Sequence, residues 1–270
     1  MGFSDLGFSP PQGGVSGFQP SQGSGGAVAN PILADILWWF TFAGGGPSMT
    51  DSVSGLSLTA VNTPTAETGP AGTSNTAMGL TTSASNYVES TDAYFRETAE
   101  GTGGSGGLPF TLVWWIYPGY GVTPWLKSNT DQWSMTKYPA SGGTWYCGVK
   151  GNGGSWRNAV MTTAIADSAW HFLSYRYYGH GTEVDGSASA SANGKRVNLV
   201  TGTAGSGAIA QTGTENCCGE SMTTGAGLSI GGSGTANGRI AMAGRWNRVL
   251  TDLEVLEVYD TTLAGGGYPF

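Results

Sequence analysis

The sequence predicts an all-β protein: a two-sheet antiparallel β-sandwich with an extended N-terminal arm and one short C-terminal helix. Three observations carry this. Glycine supplies 47 of 270 residues and charged residues only 11%, so turns are abundant and long amphipathic helices, which need a charged outer face, are scarce. Short runs of β-branched and aromatic residues recur between turn dipeptides. No repeat of fixed period is visible, which leaves a propeller or solenoid unsupported. One core suits the length, because all-β domains reach about 200 to 250 residues without dividing.

Residues 1–30 are rich in Gly, Ser, Pro and Gln, a composition that cannot bury enough apolar surface to offset chain entropy. They are expected to form an arm that takes its order from a partner, with Phe3, Leu6, Phe8 and Phe18 as anchors. Residues 31–264 are expected to form the sandwich. Residues 265–270, Gly-Gly-Gly-Tyr-Pro-Phe, are expected to be a second strap, anchored by Tyr268 and Phe270.

Within the sandwich, Leu37, Trp39 and Thr41 alternate with Trp38, Phe40 and Phe42, so the opening strand carries apolar groups on both faces and should be covered on each. Phe110 to Ile116 reads the same way. In Arg239 to Trp246 the alternation puts Ile240, Met242 and Trp246 on a core face and Arg239, Ala241, Ala243 and Arg245 on a wetter one. Further strands are expected over 56–61, 132–136, 144–149, 170–177, 196–200 and 228–230, and a Gly/Thr/Ala-rich loop over 201–226. The dipeptides Asn152-Gly153, Asp185-Gly186, Asn193-Gly194 and Asn237-Gly238 supply the positive-φ residues of tight hairpins.

The one convincing helix begins at Thr251. Thr251 and Glu254 form a capping box, Leu253, Leu256 and Tyr259 share the expected packing face, and Asp252, Glu254 and Glu257 turn to water.

Four segments give the chain a resemblance to a known family. They are Asp51-Ser52-Val53-Ser54-Gly55-Leu56 after the opening strand, Pro109-Phe110-Thr111-Leu112-Val113-Trp114-Trp115, Trp170-His171-Phe172, and the ending from Gly238-Arg239-Ile240-Ala241 through Arg245-Trp246-Asn247-Arg248-Val249-Leu250-Thr251-Asp252-Leu253-Glu254. In order and spacing they resemble the concanavalin A-like lectin and glucanase superfamily, in its laminin-G-like branch, over roughly residues 36–262. The resemblance implies a jelly roll of about a dozen antiparallel strands. It does not decide function, since this architecture serves glycan binding, protein binding, virion building and hydrolysis alike.

Chemistry is sparse. The hydrolases of the superfamily use Glu-x-Asp-x-x-Glu, which aims carboxylates from one strand face into a cleft. The nearest match, Glu183-Val184-Asp185, runs into Gly186-Ser187-Ala188 and lacks the third carboxylate. No Gly-x-Ser-x-Gly elbow lies between an evident strand and helix. No catalytic residue is assigned, and the chain is expected not to be an enzyme. Cys147, Cys217 and Cys218 have no finger-like spacing to His171 or His180 and read as small semi-buried thiols. Asp51 and Asp131 could hold calcium in a laminin-G-like domain, but in turn-rich stretches an Asp normally caps its own backbone. No metal and no cofactor is assigned.

The net charge of −7 leaves no footprint for nucleic acid or anionic lipid. The longest apolar stretch, Ile32 to Phe42, is interrupted by Asp35 and falls short of the about 20 residues a membrane span needs. The N-terminus shows no secretory signal pattern, so synthesis in a cytoplasm is expected. Aromatic residues Trp125, Trp133, Tyr138, Trp145, Tyr146 and Trp156 cluster amid Gly, Ser and Asn. In loops such rings could stack on sugars or anchor a protein. Two readings result. The first is a bacteriophage virion component, a capsid decoration or a tail or fibre part, made in the host cytoplasm and binding a major capsid or tail protein and copies of itself through its arms. The second is a carbohydrate-binding module or adhesin; a glycoside hydrolase of the same fold stands third.

Overall fold

The chain divides into two units, Met1–Pro31 and Ile32–Phe270. The computed structural model describes residues 31–42, 48–70, 72, 76–80, 87–91, 94, 109–119, 125–128, 133–138, 144–150, 156–160, 168–177, 193–201, 208–217, 228–231 and 238–263. For the strands within 125–160 and 193–217 the description is of backbone and register. Phe3, Leu6, Phe8, Phe18, Tyr268 and Phe270 lie outside the described residues.

In chain order the strands are β1 (Ile36–Thr41), β2 (Ser48–Thr50), β3 (Ser57–Val61), β4 (Thr65–Glu67), β5 (Ala77–Leu80), β6 (Tyr87–Ser90), β7 (Phe110–Pro118) and β8 (Trp125–Ser128). They continue with β9 (Trp133–Tyr138), β10 (Thr144–Lys150), β11 (Trp156–Val160), β12 (His171–Tyr177), β13 (Asn193–Thr201), β14 (Ala208–Cys217), β15 (Leu228–Gly231) and β16 (Gly238–Trp246). The helix α1 (Asp252–Leu263) follows. Every described pairing is antiparallel.

The strands form two eight-stranded sheets. The first runs β14-β13-β12-β7-β16-β5-β4, with β1 pairing the far half of β16. The second runs β11-β10-β9-β8-β15-β6-β3-β2. The expected all-β sandwich with one C-terminal helix is therefore what the chain forms. Strands β2, β4, β5, β6 and β11 were not expected as elements, and neither were β8 and β14. β14 replaces much of the loop read over 201–226: ten residues of modest β-propensity are held by pairing with β13 from Asn193↔Cys217 to Thr201↔Ala208. The same ladder draws Asn193-Gly194, read as a turn, into β13.

Two apolar layers hold the first sheet. Trp38, Phe40, Phe110, Leu112, Trp114, Leu173 and Tyr175 meet Met49, Leu58, Val88, Leu228 and Ile230 of the second sheet. On the other face Trp39, Val113, Trp115, Phe172, Met242 and Trp246 meet Ile32 and the helix residues Val255, Val258 and Tyr259. The opening strand is thus covered on both sides, as its double apolar pattern requires. β16 is also covered on both sides, which corrects the expected wet face. A register shift between Ile240 and Met242 re-aims the strand, so that Ile240 and Ala243 join the first layer while Ala241, Met242 and Trp246 join the second. Arg245 is buried too, its guanidinium 5.2 Å from the centre of the Phe110 ring. Gly244 is required by this packing: a Cβ there would meet the Trp39 ring at 2.3 Å.

The capping box forms as expected. Thr251 N donates to Glu254 Oε2 at 2.8 Å and Glu254 N donates to Thr251 Oγ1 at 3.3 Å. Arg248 adds two bonds to the same carboxylate, at 2.7 and 3.0 Å. The packing face of α1 agrees with the expected one at Tyr259, which is buried, and at Leu256, which is half-buried against the core, and differs at Leu253. Val255, Val258, Tyr259 and Thr262 are buried, an i, i+3, i+4, i+7 stripe, while Leu253 is 79% exposed. Trp115 decides this: its ring stacks on Tyr259 at 5.4 Å and its Nε1 donates to Thr262 Oγ1 at 2.7 Å.

Candidate functional site

The middle of the first sheet, β1, β7, β12 and β16, is covered on both faces, whereas the second sheet has one face turned away from the core. In a half-buried sheet the residues of each strand alternate between the two faces. In β3, Ser57 and Thr59 are exposed and Leu58 between them is buried. Cross-strand partners share a face, and the strand register therefore extends this alternation across the whole sheet.

One rung reads Ala159–Cys147–Met135–Leu126–Ile230–Val88–Ala60 from β11 to β3. It is apolar throughout, and Val88 and Ile230 belong to the core between the sheets. The adjacent rung reads Asn158–Gly148–Ser134–Lys127 on β11 to β8 and continues Ser229–Glu89–Thr59–Ser48 to β2. Every member is polar or glycine, so this parity marks the face turned away from the core. Thr50, Ser57 and Thr59 on it are exposed, and α1 packs against the first sheet instead.

A second rung of the open face runs beside the polar one. Val160 pairs Tyr146, Tyr146 pairs Thr136, Trp125 pairs Gly231 and Tyr87 pairs Val61. One step from Leu126↔Met135, Trp125 stands level with Thr136, and one step from Ile230↔Val88, Gly231 stands level with Tyr87. The rung therefore reads Val160–Tyr146–Thr136–Trp125–Gly231–Tyr87–Val61.

The aromatic candidates all belong to strands, as expected for Trp133 and Trp145 but not for the other three: Trp125 to β8, Trp133 and Tyr138 to β9, Trp145 to β10 and Trp156 to β11. Register divides them. Trp133 and Trp145 have the parity of Met135 and Cys147, the core side. Trp125, Tyr138 and Trp156 have the open parity, with Tyr138 opposite Thr144 and Trp156 opposite Lys150. Tyr146 and Tyr87 join them. Tyr87 was missed because its place beside Trp125 depends on β15 standing between their strands, which no local signal in the sequence reveals.

The other candidate chemistry resolves into structure. Asp51 is fully buried. Its Oδ1 accepts from Trp39 N at 2.7 Å and Val53 N at 3.1 Å, and its Oδ2 accepts from Ser54 N at 3.0 Å and from the Ser54 hydroxyl. It caps its own turn, as an Asp in such a stretch does, and the bond to Trp39 ties the first sheet to the turn that opens the second. The Tyr94 hydroxyl donates to Leu37 O on the same strand. Burial first, and then the charge of Asp51, push the Tyr94 phenol above its ordinary range. Asp131, His180, Glu183 and Asp185 lie outside the described residues, and His171 opens β12 opposite Ile116. No group of three His, Cys, Asp or Glu side chains suited to a metal occurs among the described residues. A Gly-x-Ser-x-Gly match at residues 227–231 puts Ser229 within β15, paired on both sides, not at a strand-to-helix elbow. Asp252 pairs with the buried Arg176 at 2.5 Å, and the same guanidinium nitrogen donates to Leu250 O at 3.2 Å.

No protein-family model matches the chain, and no curated protein matches it. Solved structures do. The chain is similar to the binding domain of botulinum neurotoxin DC in complex with SialylT, at 9% identity and TM-score 0.56, covering 86% of this chain and 52% of that one. It is similar to the binding domain of Paraclostridial Mosquitocidal Protein 1, at 10% identity and TM-score 0.55, covering 86% and 53%. It is also similar to domain 4 of AbnA, a GH43 extracellular arabinanase from Geobacillus stearothermophilus, in complex with arabinotriose, at 14% identity and TM-score 0.53, covering 83% and 98%. The chain spans about half the length of the first two of these binding domains. These likenesses establish the β-sandwich fold.

Proposed function

We propose that the sandwich is a carbohydrate-binding domain that holds glycan on the open face of its second sheet. The observation that carries this reading is the side-by-side placement of a polar rung and an aromatic rung on the face of the second sheet turned away from the core. Sugars offer both apolar C–H faces and dense hydroxyls, so their binding sites combine ring platforms with side-chain donors and acceptors. The fold supports the reading: one structural neighbour is in complex with arabinotriose and another with SialylT. The domain acts by binding and carries no catalysis. A glycan array probed with the full chain should give saturable binding to at least one glycan class, weakened by Trp125→Ala and Tyr146→Ala. A blank array would remove the proposal.

The composition of residues 1–30 and 265–270 supports a second reading, a virion component that grips a capsid or tail protein through its arm and strap. The two readings are compatible, since a virion could display a glycan-binding domain. Deleting residues 1–30 should abolish incorporation into particles and leave the sandwich folded. Normal incorporation would end that reading.

A further inference from the structure

We infer that the ligand of the open face is the interior of an uncharged, extended polysaccharide chain lying across the strands. This rests on the glycan-binding reading and narrows it. Along the aromatic rung, rings alternate with small or aliphatic residues: Tyr146 on β10, Thr136 on β9, Trp125 on β8, Gly231 on β15 and Tyr87 on β6. Aromatic positions therefore recur on every second strand. With strands about 4.8 Å apart, they repeat at about 9.6 Å, close to the advance of an extended β-linked chain over a pair of sugars. Such a chain presents the same ring face at each repeat, so one period serves both partners.

The polar rung runs parallel to this row, displaced by two residues along each strand, or about 7 Å. It would meet the hydroxyl edge of a chain seated on the rings. It crosses the sheet from β11 to β2, the two terminal strands, a span of about 34 Å. A path that runs from edge to edge suits the middle of a polymer; a chain end needs a wall to stop against.

Charge selects the class. At open-face positions of the described strands, Lys127 and Lys150 stand against Glu89. An acidic polysaccharide brings a charge with each repeat and calls for a row of cations, whereas the chain as a whole carries −7. A neutral polymer incurs neither mismatch.

The test is a length series measured by titration calorimetry on the full chain. The probes are linear neutral β-1,4 gluco-, xylo- and manno-oligosaccharides of two to six sugars, with a sialylated trisaccharide as the acidic, terminally recognised control. Affinity for at least one neutral series should rise by about tenfold or more from dimer to hexamer. Tyr87→Ala and Tyr146→Ala should each reduce hexamer affinity several-fold and leave dimer affinity little changed, while Trp125→Ala should reduce both. Trp125→Phe, which keeps a ring, should retain most of the binding and guards against a folding artefact. Equal affinity for dimer and hexamer, or binding of the sialylated probe alone, would overturn this inference and leave the glycan-binding reading standing. Binding of none of these probes, joined to a blank array, would end both.

Discussion

The two sheets have the same number of strands but very different surroundings. In the first, neighbours in sequence are buried on opposite faces: Trp38 and Trp39 are each 1% exposed, and Ala241 through Trp246 are all buried. One face meets the second sheet and the other is roofed by α1. In the second sheet Ser57 and Thr59 of β3 are exposed on either side of the buried Leu58, and the register carries the polar rung of Thr59 from edge to edge. The contrast separates structural from functional surface. A sheet covered on both faces has spent its side chains on packing, and only a sheet with one free face retains a surface for a ligand.

Substitutions sharpen the contrast. The largest effect should come from the doubly covered sheet. Trp114→Ala removes a fully buried ring from the inter-sheet layer and should cost about 3–5 kcal/mol in denaturant unfolding. Loss of less than about 1 kcal/mol would mean that this layer is not the core. Next comes the joint between the sheets. Asp51→Ala strands the amides of Trp39, Val53 and Ser54 and should cost about 2–4 kcal/mol; a neutral result would show that β1 is held without it.

Smaller effects are expected at the roof. Thr262→Val leaves the buried Trp115 Nε1 without its hydroxyl acceptor and should cost about 1–2 kcal/mol. Tryptophan fluorescence should shift with it, and an unchanged spectrum and midpoint would contradict the described contact. Glu254 gives the smallest effect, and it depends on pH. The Arg248 hydrogen bonds, helped by the Thr251 amide and hydroxyl and opposed by burial, hold its carboxyl below the usual glutamate range. Because the folded value is the lower one, its stabilisation is present above the unfolded value, about pH 4.3, and is lost as pH falls through the folded value. Glu254→Gln should therefore unfold more easily than the parent at pH 7, with the gap closing in acid. A gap that persists unchanged at pH 2 would refute the assignment.

Much of the first sheet was legible in the sequence, because doubly covered strands write their burial as dense apolar runs: Ile36–Thr41 and Phe110–Pro118 are examples. The capping box at Thr251 was legible for a similar reason, since its bonds lie within four residues. Short strands such as Ala77–Leu80 were not, because so few residues carry no period. β14 was hidden by its composition and owes its form to its neighbour. The helix face was misjudged at Leu253 because Trp115, far away in the chain, chooses what α1 buries. The open face shows the same limit. Its aromatic residues were visible as a cluster, but their division between core and solvent depends on pairing partners, and Tyr87 could join Trp125 only once β15 stood between them.

The most direct test of the open-face claim is a backbone amide chemical-shift titration of the full chain with the tightest-binding neutral hexasaccharide. Shifts should concentrate in β6, β8, β9, β10 and β15, with α1 and the centre of the first sheet quiet. Shifts centred on α1, β7 or β12, with the second sheet unmoved, would contradict it.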